Sequence, residues 1–330
     1  MDYLPEIEKE IQRQIARLDE PHTTQLHEML TYHLGWSGEN ADPKTRGKRL
    51  RPLFLLLTCS ACDGDWRSAL PAAAAVELVH NFSLIHDDIQ DNSDKRRGRD
   101  TVWAKWGIPQ AINAGDALFI LSSQALFDLV PGYSHEIVAR AAIILNDACL
   151  NLTRGQFLDI YYEKRKDLSI EDYWSMVSGK TAALLSACCA LGSLLGNSDQ
   201  ATQDAYCSFG HYLGLAYQVH DDFLGIWGDS AVTGKSSQSD LVSGKYSLPI
   251  IYGLGKNGSF AKRWAEGPIH PDEVPGLADQ LATEGARLFT QETADQMTDL
   301  AMQSLRIANP KGQAGEQLIE MARNLVNRES

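Results

Sequence analysis

Long helix-forming segments separated by proline and glycine constrain the fold of this chain more than any other feature. Ala, Leu, Glu, Gln and Arg dominate these segments, whereas the runs of β-branched residues that are typical of strands are nearly absent. The periodicity predicts helices over residues 3–18, 22–34, 51–62, 68–92, 109–130, 134–165, 170–195, 201–227 and 246–256, with three more between 272 and 328. We therefore expect an all-α fold.

Composition and charge narrow the class of protein. The chain has 330 residues, and 44% of them are hydrophobic, which is enough for a substantial core; we expect one domain over 1–330. The net charge of −13 gives no support to nucleic-acid binding, because a phosphate backbone attracts clustered Lys and Arg. No run of about 18 apolar residues occurs and the N-terminal segment is charged, so we expect a cytoplasmic protein without a transmembrane segment.

Cysteine spacing gives one weak signal. Cys59 and Cys62 have the spacing of a metal or redox pair. They lie in the apolar helical run LFLLLTCSACDG, which contains no second pair and no nearby His. We therefore expect them to be buried small hydrophobic residues.

The run HDDIQDNSDKRRGRD is the strongest chemical signal. Asp87 and Asp91 are four residues apart, so on a helix of 3.6 residues per turn they lie on one face, and their charges repel. Mg²⁺ offsets such repulsion, since it binds one or two carboxylates while phosphate oxygens and waters complete its octahedron. A solvated acidic helix end is the alternative, but the preceding apolar run VELVHNFSLI favours a buried helix.

A second acidic pair lies in YQVHDDFLGIWGD, where Gln218, Asp221 and Asp222 belong to another apolar helix. Burying a carboxylate without a partner costs several kcal/mol. If the two acidic helices face one another, their carboxylates would enclose a metal–diphosphate cluster.

Basic residues provide the complement for an anionic ligand. Candidates are Lys48 and Arg51 in RGKRLRP, Arg96 and Arg97 shortly after Asp91, Lys180 with Thr181 in SGKTAALL, and Lys235 and Lys245 in the polar loop 228–247. Each cation alone is most often solvated surface, and the loop itself could be a plain surface excursion. Together they offer enough positive charge for two diphosphates.

Five of these motifs occur in an order and spacing that resembles the trans-isoprenyl diphosphate synthase (polyprenyl synthetase) family over nearly the whole chain. They are GKRLRP, DDIQD, GQFLD, GKTA, and QVHDD with the following lysine loop. The resemblance implies the isoprenoid synthase fold, in which a single-domain bundle of long helices surrounds a central active-site cavity. It also implies Mg²⁺, isopentenyl and allylic diphosphate substrates, and a homodimer.

The family's functional residues carry over by motif position. The resemblance implies that Lys48, Arg51, His80 and Arg97 hold isopentenyl diphosphate, and that Arg96, Lys180, Lys235 and Lys245 grip the allylic diphosphate. Asp87 and Asp91 would bind two Mg²⁺ and Asp221 a third, supported by Asp88, Asp222 and Asp240, with Gln218 near the diphosphate or the reacting double bond and Thr181 near the substrate. His80 could instead be a satisfied core histidine.

One position departs from the family pattern. The second acidic motif often reads DDxxD, but Gly225 stands at its third acidic position. Asp229 lies four residues later and is assigned no role. Some members keep only the first two aspartates, so we expect activity to be retained.

The resemblance implies a reaction in which the allylic diphosphate leaves, isopentenyl diphosphate attacks the resulting cation, and the departing diphosphate takes a proton. Phe82 and Ser83 lie about one helical turn before Asp87, and the resemblance implies that these positions form a floor for the growing chain. In that family, bulky residues at both positions are typical of C15 synthases and small residues at both are typical of long-chain enzymes. One bulky and one small residue therefore imply geranylgeranyl diphosphate (C20), with farnesyl diphosphate (C15) as the alternative. Phe82 could instead pack in a helix interface. A terpene cyclase and a non-catalytic subunit of a heteromeric synthase are the rival functions.

Overall fold

The computed structural model describes residues 2–38, 43–228 and 240–326, and in these ranges the predicted all-α fold is confirmed. Its helices are α1 Leu4–Ile15, α2 Thr24–His33, α3 Leu50–Ala61, α4 Leu70–Gln90, α5 Val102–Trp106, α6 Ile108–Phe127, α7 His135–Tyr162, α8 Ile170–Val177, α9 Ala183–Leu195, α10 Gln200–Trp227, α11 Asp240–Ser243, α12 Leu248–Gly255, α13 Ser259–Ala265, α14 Val274–Thr283, α15 Ala286–Ala308 and α16 Gly312–Val326. Short 3₁₀ turns cover Ala16–Leu18, Pro43–Arg46 and Pro271–Glu273.

The predicted helices match the observed ones to within a few residues, and the differences are local. The helix predicted over 170–195 is α8 and α9 joined by a π-helical turn, Ser178–Ala182. The short helices α5, α11 and α13 were missed, because segments of four to seven residues carry too little periodicity to detect. A two-stranded hairpin of β1 Lys95–Arg96 and β2 Arg99–Asp100 was also missed.

The chain forms two compact units. The first comprises Met1–Asn146, Cys188–Gln203 and Pro310–Gly315, and the second comprises Asp147–Ala187, Asp204–Asn309 and Glu316–Ser330. The prediction of one domain around a central cavity stays a prediction.

In the first unit, α4 packs mainly along α6 and also against α3 and α1. Four consecutive alanines, residues 72–75, are fully buried in α4, and such small side chains allow neighbouring helices to come close. This packing fixes the course of α4 and therefore the position of the acidic run at its C-terminal end.

In the second unit, two apolar clusters hold the helices together. One contains Tyr173 of α8, Val219 of α10 and Leu248 of α12. The other surrounds Phe260 of α13 and Leu281 of α14. The first cluster fixes α8, α10 and α12 around the second acidic pair.

Four of the six cysteines are buried, Cys62 is half-buried and Cys207 is exposed, and all six are thiols. The expected burial is therefore observed for Cys59 and only in part for Cys62, and burial raises the pKa of the Cys59 thiol to about 12. Within the described ranges, one helical stretch, Ile170–Leu195, is long and apolar enough to cross a membrane. Since 67% of its most apolar window is buried inside the protein, it also fits the core helix of a globular fold.

Candidate active site

The first acidic run closes α4 in the first unit. The Asp91 amide donates to the Asp87 carbonyl at 2.9 Å, so the two residues are one helical turn apart as predicted. Asp87 is half-buried and Asp91 exposed, whereas Asp88 is buried. The three carboxylates of this run therefore differ in their access to a ligand.

A tight hairpin places the two arginines that follow. Arg96 pairs with Arg99 across the hairpin, so only Arg97 and Gly98 form the turn. Both have positive φ, 53° and 75°, as a two-residue type I′ turn requires. Arg99 anchors the hairpin by donating to the carbonyl oxygens of Tyr32 and Ser37 at 3.1 and 2.7 Å.

Arg96 returns from this hairpin to the acidic run. Its Nε donates to both carboxylate oxygens of Asp88, at 2.8 and 3.0 Å, and its Nη2 lies 2.7 Å from Asp88 Oδ1 and 3.8 Å from Asp87 Oδ2. Burial raises the pKa of the Asp88 carboxyl, and the Arg96 guanidinium opposes that shift. Asp88 thus holds a cation beside Asp87.

The loop before α3 is fixed by a residue that sequence reasoning missed. Arg49 has left-handed backbone geometry and a buried guanidinium, which pairs with Glu8 at 2.6 Å and with Glu77 at 2.8 Å. Because Glu8 lies on α1 and Glu77 on α4, these pairs hold the loop at two points. The neighbouring Lys48 is exposed, and Arg51 lies in the first turn of α3.

Arg51 and His80 form a pair. Arg51 Nη1 lies 3.2 Å from His80 Nε2, and a guanidinium only donates, so this imidazole nitrogen accepts. Burial, together with the Arg51 and Arg97 charges, lowers the pKa of His80 well below its ordinary value. His80 is therefore neutral and orients Arg51.

Arg97 lies close to the same basic loop. Its Nη1 donates to the Thr45 carbonyl oxygen at 2.9 Å, and a Cβ added at Gly47 would lie 2.8 Å from its Nη2. Three of the four residues assigned to isopentenyl diphosphate, Arg51, His80 and Arg97, thus belong to one connected region of the first unit.

The second acidic pair lies in α10 of the second unit, and its two aspartates differ. Asp222 is buried and accepts three hydrogen bonds, from the Tyr173 hydroxyl at 2.8 Å, the Leu248 amide at 3.0 Å and Gln218 Nε2 at 2.8 Å. Asp221 is half-buried. Asp222 is thus a structural anchor, and Asp221 is the more accessible carboxylate.

The π-helical turn carries Lys180 and Thr181. Lys180 Nζ forms an ion pair with Asp159, which belongs to the GQFLD motif on α7. Gly155, the first residue of that motif, lies against the backbone of Lys180, so a side chain there would collide with the turn. Asp159 was not singled out from the sequence, although its motif was.

Asp240 lies beside Gly225, the position at which the DDxxD pattern would have an acid. A Cβ added at Gly225 would lie 2.6 Å from Asp240 Oδ2, so the Asp240 carboxylate uses the space that any side chain at position 225 would need.

Lys245 lies among the acidic residues of the second unit. Removal from water would lower the pKa of Lys245, but the carboxylates of Asp222, Asp240, Asp159 and Asp221 outweigh this effect and raise it. The second unit therefore collects acids around a charged lysine.

The acidic residues fit a Mg²⁺ ion that is held partly by the protein and partly by water and substrate phosphate. In the described part of the chain, no group of three or more His, Cys, Asp or Glu side chains is arranged to hold an ion by protein ligands alone. Mg²⁺ commonly takes only one or two carboxylates and completes its shell with water and substrate phosphate. Asp87 with Asp91, and Asp221, are accessible carboxylates that suit this mode.

The two candidate chain-length residues have different surroundings in the first unit. The Phe82 ring packs 5.0 Å from the Phe119 ring of α6 and 5.7 Å from the His86 ring. The Ser83 hydroxyl donates to the His80 carbonyl oxygen at 2.8 Å. Phe82 therefore faces α6, and both residues are half-buried.

One predicted site residue is not described by the structure, and three residues that the structure reveals were not predicted. Lys235, together with the unassigned Asp229, lies outside the described residues. Arg49, Asp159 and Tyr173 were missed, since their importance depends on partners distant in sequence, and only the GQFLD motif could have indicated one of them.

The sequence and fold of this chain are similar to those of known proteins. The family profile described as "Polyprenyl synthetase" matches residues 40–267. The chain is 39% identical to a geranylgeranyl diphosphate synthase of Mycobacterium tuberculosis, with 97% of this chain and 90% of that protein covered. It is 36% identical to a (2E,6E)-farnesyl diphosphate synthase of Mycobacterium bovis, with 96% and 89% covered. Its fold is similar to that of geranylgeranyl pyrophosphate synthetase from Pyrococcus horikoshii, with a TM-score of 0.88, 33% identity, and 97% and 96% of the two chains covered.

Proposed function

The chain belongs to the polyprenyl synthetase family and is a prenyltransferase, and we propose that it condenses isopentenyl diphosphate with dimethylallyl, geranyl or farnesyl diphosphate. The observation that carries the proposal is the end of α4. There Asp87 and Asp91 lie one turn apart, and Arg96, held by Asp88, lies beside Asp87. This arrangement offers carboxylates for a divalent cation next to a cation for a diphosphate.

The metal site and the two diphosphate sites divide the assigned residues among them. Asp87 and Asp91 would hold two Mg²⁺ and Asp221 a third, with Asp88, Asp222 and Asp240 supporting the site, and the bound ions would supply Lewis-acid chemistry at the leaving diphosphate. Arg96, Lys180, Lys235 and Lys245 bind the allylic diphosphate, and Lys48, Arg51 and Arg97 bind isopentenyl diphosphate. Neutral His80 orients Arg51, which makes its role indirect.

The bond changes balance without an external base. The allylic C–O bond breaks, the diphosphate leaves with its electron pair, and an allylic cation remains. The double bond of isopentenyl diphosphate then forms the new C–C bond, and the departing diphosphate takes the proton that is lost. The chain's own residues bind and orient the two diphosphates and keep water from the cation.

We propose C20 geranylgeranyl diphosphate as the main product, with C15 farnesyl diphosphate as the second candidate. The half-buried Phe82 ring, held against Phe119, supports a barrier one turn below Asp87, and the small Ser83 beside it supports an intermediate length. Relatives named for each product match the chain over nearly its full length.

A homodimer is the proposed assembly. Exposed apolar side chains recur every seven residues along α7, at Ile143, Leu150 and Phe157, which are 60%, 50% and 64% exposed. Since that spacing puts them on one helix face, they favour packing against a second copy. Phe157→Glu should give monomers by analytical ultracentrifugation, whereas Ile307→Glu, at another exposed apolar site, should not. The cytoplasmic location stays a prediction.

The reaction is tested by supplying labelled isopentenyl diphosphate and Mg²⁺ with each allylic diphosphate in turn. We expect incorporation that EDTA abolishes, and a C20 alcohol after dephosphorylation. Asp94→Asn, a change at an exposed acid three residues after Asp91, is the matched control for Asp87→Asn and should keep wild-type turnover. No incorporation with any allylic primer would refute the proposed reaction.

A further inference from the structure

Tyr173 begins a chain of hydrogen bonds that ends at the π-helical turn. Its hydroxyl donates to Asp222 Oδ2 at 2.8 Å, and the two residues are only 1% and 2% exposed. Asp222 Oδ1 accepts from Gln218 Nε2 at 2.8 Å, and Gln218 Oε1 accepts from Thr181 Oγ1 at 2.8 Å. Four side chains are thus linked in series from α8 through α10 to the turn.

The acid in this series fixes the direction of every bond. Asp222 Oδ1 accepts from Gln218 Nε2, so the NH₂ group of Gln218 faces Asp222. Its carbonyl oxygen then faces Thr181, and the Thr181 hydroxyl has to donate. The Thr181 proton is therefore already used within the protein, and diphosphate oxygens, which need donors, must find them on other residues.

Tyr173 is well placed to hold Asp222 in this orientation. Its ring packs in the apolar cluster with Val219 and Leu248, so water has little access to replace its hydroxyl. Burial and the Asp222 charge raise the pKa of Tyr173 well above its ordinary value, so the hydroxyl stays protonated and donates. Without it, the Leu248 amide would be the one donor left to Asp222 Oδ2 among the described residues.

We propose that Tyr173 is a positioning residue for prenyl transfer, which orients Asp222 and thereby sets the direction of the Gln218–Thr181 pair beside Lys180. This inference rests on the proposed function. The residue acts through Asp222 and has no contact with substrate in this role.

The Tyr173→Phe variant removes the donor and keeps the ring. We expect kcat to fall by about tenfold or more, because the bond lost is one to a buried charge, while KM for both diphosphates stays within about twofold. The control is Tyr162→Phe, a tyrosine of the same cluster whose hydroxyl bonds Asp172 at 3.3 Å instead; it should keep wild-type kcat. Circular dichroism melting reports whether either variant is destabilised.

The Asp222→Asn variant tests the direction of the bonds without changing shape. Its new carbonyl can accept from Tyr173 and Leu248, but its NH₂ group then faces Gln218, whose amide must reverse. We expect this variant also to lose about tenfold or more in kcat. Because Tyr173 acts through Asp222, the double variant should be no slower than the slower single variant.

The outcomes distinguish a failure of the positioning role from a failure of the proposed reaction. If the wild-type protein is active, an unchanged kcat in Tyr173→Phe would overturn the positioning role alone. The same conclusion would follow if the fold-loss of kcat in the double variant were the product of the two single losses. If Tyr173→Phe proves too unstable to assay, an unchanged kcat in Asp222→Asn would overturn it as well. No turnover in the wild-type protein would refute the reaction and, with it, this inference.

Discussion

The contact between Gly225 and Asp240 yields a sharp prediction, because it separates stability from activity. A Cβ at position 225 would lie 2.6 Å from Asp240 Oδ2, 2.8 Å from its Cγ and 3.0 Å from its Oδ1. Relief of this overlap to ordinary contact requires the carboxylate to move by roughly 0.5–1 Å. A displacement of about 1 Å in a group that supports the proposed metal site can cost up to about 100-fold in rate.

Gly225→Ala should therefore lower kcat by about tenfold or more while Tm stays unchanged or rises. Alanine favours a helix over glycine by up to about 1 kcal/mol, and the overlap falls on the carboxylate end of the half-buried Asp240 side chain rather than on backbone. Gly276→Ala in α14, where an added Cβ meets nothing within 4 Å, is the matched control and should change kcat little.

The Gly225→Asp variant distinguishes the prediction made from the structure from the prediction made from the DDxxD motif. The DDxxD pattern predicts that an acid at 225 is tolerated, whereas the structure predicts a larger loss than for alanine. The second carboxylate would repel Asp240 by about 4 kcal/mol at 4 Å and an effective dielectric constant of 20, before Lys245 offsets part of it. Steady-state kcat at saturating substrates and thermal melting decide the matter. A kcat within about twofold of wild type in both variants would refute the assigned role of this contact.

Three further predictions concern the first unit. Arg97→Ala should raise KM for isopentenyl diphosphate more than KM for the allylic substrate. If initial-rate kinetics showed the reverse pattern, Arg97 would belong to the allylic site instead. Phe82→Ala should lengthen the product by at least one five-carbon unit, and Ser83→Phe should shorten it toward C15. Chromatography of the dephosphorylated products measures chain length, and an unchanged product distribution in both variants would show that this helical turn does not limit it. Arg49→Leu leaves Glu77 buried without its cation, so urea unfolding should show a loss of about 3–5 kcal/mol, and a loss below about 1 kcal/mol would contradict the buried ion pair.

Much of the helical fold and of the acidic sites was predictable because these features are local. Long periodic segments define helices by themselves, and the spacing of Asp87 and Asp91 implies a shared face wherever that helix lies. The pairing of Arg96 with Asp88 was not predictable, since it depends on a two-residue hairpin with Arg97 at a positive φ, a position where Asn or Gly is the usual signal.

The supporting residues were hidden for a different reason. Arg49 and Glu77 are 28 residues apart, and Tyr173 and Asp222 are 49 apart, so only tertiary packing brings each pair together. A buried tyrosine or arginine in an apolar helix gives no sign of its partner in a single sequence. The replacement of an expected acid by Gly225 looked like a loss, and only the Asp240 carboxylate against it gives a physical reason for glycine.

The most direct test of the central claim compares the turnover of wild-type protein with that of Asp87→Ala and Asp91→Ala at saturating isopentenyl diphosphate, allylic diphosphate and Mg²⁺. Each change removes a proposed metal ligand and relieves a carboxylate repulsion, so the helical circular dichroism signal should persist. We predict Mg²⁺-dependent turnover in the wild type and almost none in either variant. A variant that kept more than about a tenth of wild-type kcat would contradict the claim, because it would leave that carboxylate less than about 1.4 kcal/mol of transition-state stabilisation.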